Sequence, residues 1–202
     1  MNMDKTICIF GASSTWGAWD YEKSGWANRL RLFLDSENYD IFTYNLGVSG
    51  DTTNELLKRF DVEAEAREPT LIIFSIGDND SIYVTSQNKQ MVSLQQFEKN
   101  LQKLIDKAKK FTEVIIFIGC KKVDEPKTTP IPWGTDYHYT NQNLILYNQK
   151  IRELANKNKV HYLEIFDLLK NEDFEDGLHP NSKGHQKLFL KIKDFLLDKK
   201  LL

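Results

Sequence analysis

A chain of 202 residues is long enough to bury a full core in one domain without disulfide or metal support. Its 41% hydrophobic and 28% charged residues exclude wholesale disorder, and a net charge of −2 with both signs interspersed excludes a broad basic surface for nucleic acid. No apolar run reaches the length of a membrane span or of a secretory leader, so a cytoplasmic protein is the expectation.

The first β-rich run is TICIF (6–10), followed by the small, hydroxylated stretch GASSTWGAWD. WANRLRLFLDS (26–36) reads as a helix. YDIFTYNLG (39–47) is a weaker, more alternating run, as an outer strand would be. TTNELLKRFDVEAEA (52–66) is the next helix, and LIIFSI (71–76) the next buried strand. Leu94, Phe97, Leu101, Leu104, Ile105 and Ala108 share one face at helical spacing before the strand EVIIFIG (113–119). A long irregular stretch, 120–140, carries Trp133, Tyr137 and Tyr139 among turn signals, and a loop of that length in a compact domain is usually functional. Leu144, Tyr147, Ile151, Leu154 and Ala155 mark a further helix, VHYLEIF (160–166) a last strand, and Leu188, Ile192, Phe195 and Leu196 a last helix. Cys8 and Cys120 fall in or beside strand-like runs and read as reduced core thiols.

Strands without strict alternation, separated by amphipathic helices, predict an α/β chain. The expected fold is a three-layer α/β/α sandwich, flavodoxin-like, around a five-stranded, mostly parallel sheet spanning 1–202 as one domain. Ligands of such sheets bind beyond the carboxyl ends of the strands. That rule selects the segments after 6–10, 39–47, 71–76 and 160–166, where the polar and glycine residues gather.

A serine hydroxyl becomes a nucleophile only with a base in hydrogen-bond reach and a group that orients the base. Asp176 and His179, three residues apart in a glycine-containing segment, suit that pairing. The attack creates an oxyanion that needs preorganised donors, for which Gly47, Asn79 and the Ser13 amide are candidates. Phe10-Gly11-Ala12-Ser13-Ser14-Thr15, Asn45-Leu46-Gly47-Val48-Ser49-Gly50, Gly77-Asp78-Asn79-Asp80 and Asp176-Gly177-Leu178-His179-Pro180 together resemble, in order, the blocks of the SGNH hydrolases, also called the GDSL esterase/lipase family. The resemblance implies that Ser13 is the nucleophile, His179 the general base and then acid, and Asp176 its orienting carboxylate. It implies an oxyanion hole of Ser13 N–H, Gly47 N–H and the Asn79 side chain, and hydrolysis of a small-molecule ester through an acyl-enzyme, with no metal or organic cofactor.

One departure stands out. The family's aspartate before the serine is Ala12 here, which removes a side-chain acceptor that could brace the nucleophile turn; Asp51, Asp78 and Asp80 are candidates to stand in. Trp16, Trp133 and Tyr137 are candidate walls for a sugar or other polar alcohol carrying a short acyl group such as acetyl. His138 has the aromatic loop as its setting, whereas His161 and His185 read as structural. Competing readings are a phosphate- or flavin-binding module of flavodoxin-like fold, and an acyltransferase or inactive relative.

Overall fold

In this computed structural model, which describes residues 5–202, strand β1 (Lys5–Gly11) is followed by one helical turn, α1 (Ser13–Trp16), and by α2 (Trp26–Ser36). The chain continues through β2 (Ile41–Gly47), α3 (Thr53–Glu65), β3 (Leu71–Ser75), the two-residue strands β4 (Tyr83–Val84) and β5 (Lys89–Gln90), and α4 (Leu94–Ala108). It ends with β6 (Ile115–Ile118), α5 (Glu125–Thr128), β7 (Tyr137–His138), α6 (Asn141–Asn158), β8 (His161–Leu163) and α7 (Ser182–Asp198).

Five strands form one parallel sheet in the order β2-β1-β3-β6-β8. The chain starts on an inner strand, steps outward to β2, then crosses back to β3, so the order reverses beside β1. The weakly patterned run at 39–47 is the edge strand β2, with exposed residues in its middle. Alternate side chains of the inner strands face opposite helical layers. Cys8, Phe10, Ile72, Phe74, Ile115 and Phe117 point to a core shared with α3, α4 and α6. Ile7, Ile9, Ile73, Ile116 and Ile118 point to a core shared with α2 and α7. Helices on both faces complete the three-layer α/β/α fold that the strand and helix alternation predicts.

Phe10 packs on Phe60 at 4.9 Å and on Phe74 at 5.8 Å, and Phe74 on Phe117 at 4.9 Å between ring centroids. This aromatic row runs across three strands, and burying each ring contributes roughly 1.5–3 kcal/mol. The two cysteines are buried and unbridged, and burial pushes the Cys8 thiol up to about 12. No helix among the described residues is long and apolar enough to cross a membrane.

The stretch 120–140 is more ordered than its composition suggests. It contributes α5, and β7 joins β4 and β5 in a small antiparallel sheet, β5-β4-β7. Strands of two residues carry no readable period, which is why the sequence pattern shows only a loop there.

The segment between α1 and α2 is pinned from beneath. Asp20 accepts from Arg29 Nε at 2.8 Å, Arg29 Nη2 at 2.9 Å and the Gly25 amide at 2.9 Å. His185 in α7 donates Nε2–H to the Ala18 carbonyl at 2.9 Å and accepts the Trp26 amide on Nδ1 at 3.2 Å. Both ring nitrogens are thus committed to the neutral imidazole, and burial lowers its pKa from 6.5 to about 4 despite the Ala18 hydrogen bond. Between those values the unfolded chain binds a proton that the folded chain refuses. This contribution is therefore complete above about pH 6.5 and declines as the pH falls toward 4. Urea midpoints are expected to drop from pH 7 to pH 5, with His185 supplying a slope of at most about 1.4 kcal/mol per pH unit. His185→Gln should be less stable at pH 7 yet decline less steeply over the same interval; parallel curves for the two proteins would show that His185 does not set the slope.

Candidate active site

The turn that carries Ser13 is built by close approach. At Gly11, where β1 ends, an added Cβ would lie 2.1 Å from Thr15 Oγ1 and 2.6 Å from the Ser75 carbonyl oxygen, so only glycine fits between α1 and β3. Ser13 opens α1 two residues later. Asn45 at the end of β2 holds this turn with both ends of its amide, donating Nδ2–H to the Thr15 carbonyl at 2.9 Å and accepting the Gly47 amide on Oδ1 at 3.0 Å. Arg59 of α3 donates to Asp51 at 2.8 Å, to Glu63 at 3.0 Å and to the Gly11 carbonyl at 3.4 Å. Ala12 itself offers no side-chain cap to α1.

Gly47 therefore differs from the expectation. Its N–H is already donated to Asn45, and an added Cβ would lie 2.3 Å from the Trp16 nitrogen. It is glycine because α1 crosses it at contact distance. Three residues on, Gly50 adopts φ +86° with nothing within 4 Å of a notional Cβ, and it lines a hollow together with Asn79. Among the described residues its amide has no acceptor.

Asn79 follows β3 and is held in one orientation. Its Oδ1 accepts the Tyr139 hydroxyl at 2.7 Å and its Nδ2 donates one hydrogen to the Asp51 carbonyl at 2.8 Å, leaving the second N–H uncommitted. Beside it, Asp78 pairs with the buried Lys121, and the fully buried Asp80 accepts from the amide and hydroxyl of Thr53 at the start of α3. Burial raises Asp80 to about 7, against the opposing Thr53 hydrogen bonds. Asp51, Asp78 and Asp80 thus each have partners of their own, and it is Asn45 and Arg59 that hold the turn after Ala12.

The last segment supplies a carboxylate and an imidazole. Gly177 has φ +92°, and a Cβ there would lie 2.7 Å from that of Lys127. The turn it permits lets Asp176 Oδ1 accept the amides of Leu178 at 2.9 Å and His179 at 2.7 Å. Asp176 Oδ2 accepts His179 Nδ1–H at 2.7 Å, and His179 Nε2 stands 3.0 Å from Ser13 Oγ. Burial alone would raise the Asp176 pKa, but the His179 side-chain and amide hydrogen bonds outweigh it and hold the carboxyl well below the usual range. With Nδ1–H committed to the carboxylate, Nε2 is free to accept the Ser13 proton. Ser13, His179 and Asp176 are thus brought into one relay, next to a cleft lined by Ala12, Ser14, Asn79, Lys121 and Leu178.

The aromatic candidates separate. Trp133 stacks on His179 at 5.9 Å with 25° between the planes. Trp16 is exposed in α1 and borders an open hollow with Trp19 and Tyr21. Tyr137 belongs to the small sheet, packed on Gly134. His138 pairs with Tyr83 in that same sheet, and His161 meets Phe195. Two aromatics that the sequence offers only as possible pocket walls have partners that it does not signal. Trp19 donates its indole N–H to Asp176 across 157 residues, and Tyr139 reaches Asn79 across 60.

Residues 9–187 match the family model of the GDSL-like lipase/acylhydrolase family. A lipoprotein of Bacillus subtilis, YqeF, is 31% identical over 124 residues, covering 59% of this chain and 49% of that protein. The isoamyl acetate-hydrolyzing esterase of Saccharomyces cerevisiae is 28% identical over 154 residues, covering 69% and 62%. The chain spans about half the length of the curated relatives it matches. Among solved structures, the psychrotrophic esterase EstA of Pseudoalteromonas superposes with a TM-score of 0.75 at 22% identity over 98% of this chain and 99% of that one, a likeness of fold. With the family model covering most of its length, the chain belongs to the GDSL-like lipase/acylhydrolase family.

Proposed function

We propose that the chain is a serine esterase that removes a short acyl group, acetyl being the leading case, from a polar alcohol or sugar. The observation that carries this reading is the continuous relay Ser13 Oγ, His179, Asp176, at 3.0 and 2.7 Å. His179 takes the Ser13 proton as Oγ attacks the ester carbonyl, and returns it to the departing alcohol. Water, activated by the same imidazole, then cleaves the acyl-enzyme.

The negative oxygen of each tetrahedral intermediate would be met by the free N–H of Asn79, the Ser13 amide and the amide of Gly50. Gly50 takes the place first given to Gly47, because its N–H is uncommitted and it shares the hollow with Asn79. Ser14, Asp78, Asn79 and Lys121 line the cleft beside Ser13 together with the apolar Trp26, Ile76 and Leu178. The name of the yeast relative agrees with acetyl. Trp133, exposed and stacked on His179, offers its outer ring face to the alcohol, and Trp16 borders the neighbouring hollow with Trp19.

Ser13→Ala is expected to lower kcat for 4-nitrophenyl acetate by at least about 10³-fold and to abolish labelling by a fluorophosphonate. Undiminished turnover or labelling in that variant would remove Ser13 from the mechanism. Asn79→Ala should cost about 10²–10³-fold in kcat with little change in KM, as for loss of one oxyanion donor. A change confined to KM would instead make Asn79 a ground-state binding residue.

A further inference from the structure

Trp19 sits in a position that its sequence neighbours do not explain. Its backbone is left-handed, φ +64°, a conformation that bulky side chains rarely adopt. That conformation delivers the indole to the relay: Nε1–H donates to Asp176 Oδ2 at 2.7 Å, and the ring meets His179 edge-on, 6.3 Å away at 80°. The segment bearing Trp19 is fixed on either side, by Ala18 on His185 and by Asp20 on Arg29. The placement is built in from both flanks.

The chemistry follows from which oxygen is shared. Asp176 Oδ2 receives both the Trp19 indole N–H and His179 Nδ1–H, while Oδ1 receives two amides. A second donor on Oδ2 fixes the plane of the carboxylate, and with it the direction in which His179 Nε2 points.

We propose that Trp19 is a positioning residue of the relay, its indole N–H aligning the Asp176 carboxylate and, through it, the direction in which His179 Nε2 meets Ser13. The inference rests on the esterase reading above.

The test is kcat and KM for 4-nitrophenyl acetate in Trp19→Phe, and in a protein carrying β-(3-benzothienyl)alanine at position 19, which keeps the bicyclic shape and lacks the N–H. In both, kcat is expected to fall several-fold with KM nearly unchanged, a modest loss because Trp19 is 43% exposed and water competes for the carboxylate. Where Trp19→Phe does not fold, the benzothienyl protein decides alone. A kcat equal to the parent's in the isosteric protein would overturn the proposal. Ser13→Ala separates the two failures: if it leaves activity intact the esterase reading is lost, and if it abolishes activity while the isosteric protein keeps the parent kcat only the role of Trp19 is lost.

Discussion

The mouth of the sheet is organised around one carboxylate. Asp176 receives four hydrogen bonds, two from backbone amides of its own turn, one from the His179 imidazole and one from the Trp19 indole. A carboxylate so fully satisfied stays ionised and has no rotational freedom left, and a group placed to orient an imidazole must have both properties. Its position depends in turn on Gly177, whose left-handed backbone and contact with Lys127 leave no room for a side chain. The chemistry on the far side of the imidazole, at Ser13, is a consequence of that anchoring.

The Ser13 side is anchored by different means. The family's bracing aspartate is absent, so the turn after β1 is held from neighbouring elements. Asn45 spans the Thr15 carbonyl and the Gly47 amide, Gly47 lets α1 lie in contact with β2, and Arg59 ties the Gly11 carbonyl to Asp51. Asp51 also presents its backbone carbonyl to Asn79. Gly11, two residues before Ser13, and Asn79 are thereby linked through Arg59 and Asp51. With alanine at position 12, the hydrogen bonds that hold this turn come from neighbouring elements, Asn45 of β2 and Arg59 of α3.

Much of this was legible along the chain. The helix read at 26–36 spans Trp26–Ser36, the pattern beginning at Leu94 gives Leu94–Ala108, and the weakly alternating run at 39–47 is the edge strand. Each of these rests on a local period repeated over several residues, which burial on one face imposes directly. The dispersed blocks were legible for another reason: each follows a strand, and a parallel sheet brings the ends of its strands to one edge. What escaped has no period. Gly47 and Gly50 look alike in one dimension, and only the fold shows that the Gly47 amide is donated to Asn45 while that of Gly50 has no acceptor among the described residues. The Trp19–Asp176 and Tyr139–Asn79 bonds join irregular segments far apart in the chain, where spacing carries no information about contact. The two-residue strands of the small sheet are invisible for want of length.

The left-handed backbone at Trp19 shows where stability is spent for function. Holding a residue with a Cβ there costs about 1–2 kcal/mol, and it persists only if surrounding contacts over-determine it. Those contacts are present on both sides. Asp20 is buried under Arg29 and the Gly25 amide, and Ala18 is tied to a histidine that burial keeps neutral. Neither pair touches Ser13 or His179, so their placement has no direct part in acyl transfer. They instead make an unfavourable local conformation the stable one, and the indole donor on Asp176 is the result. The interior of the loop between α1 and α2 is in this sense part of the active site, acting through geometry on a carboxylate that only its outermost side chain reaches.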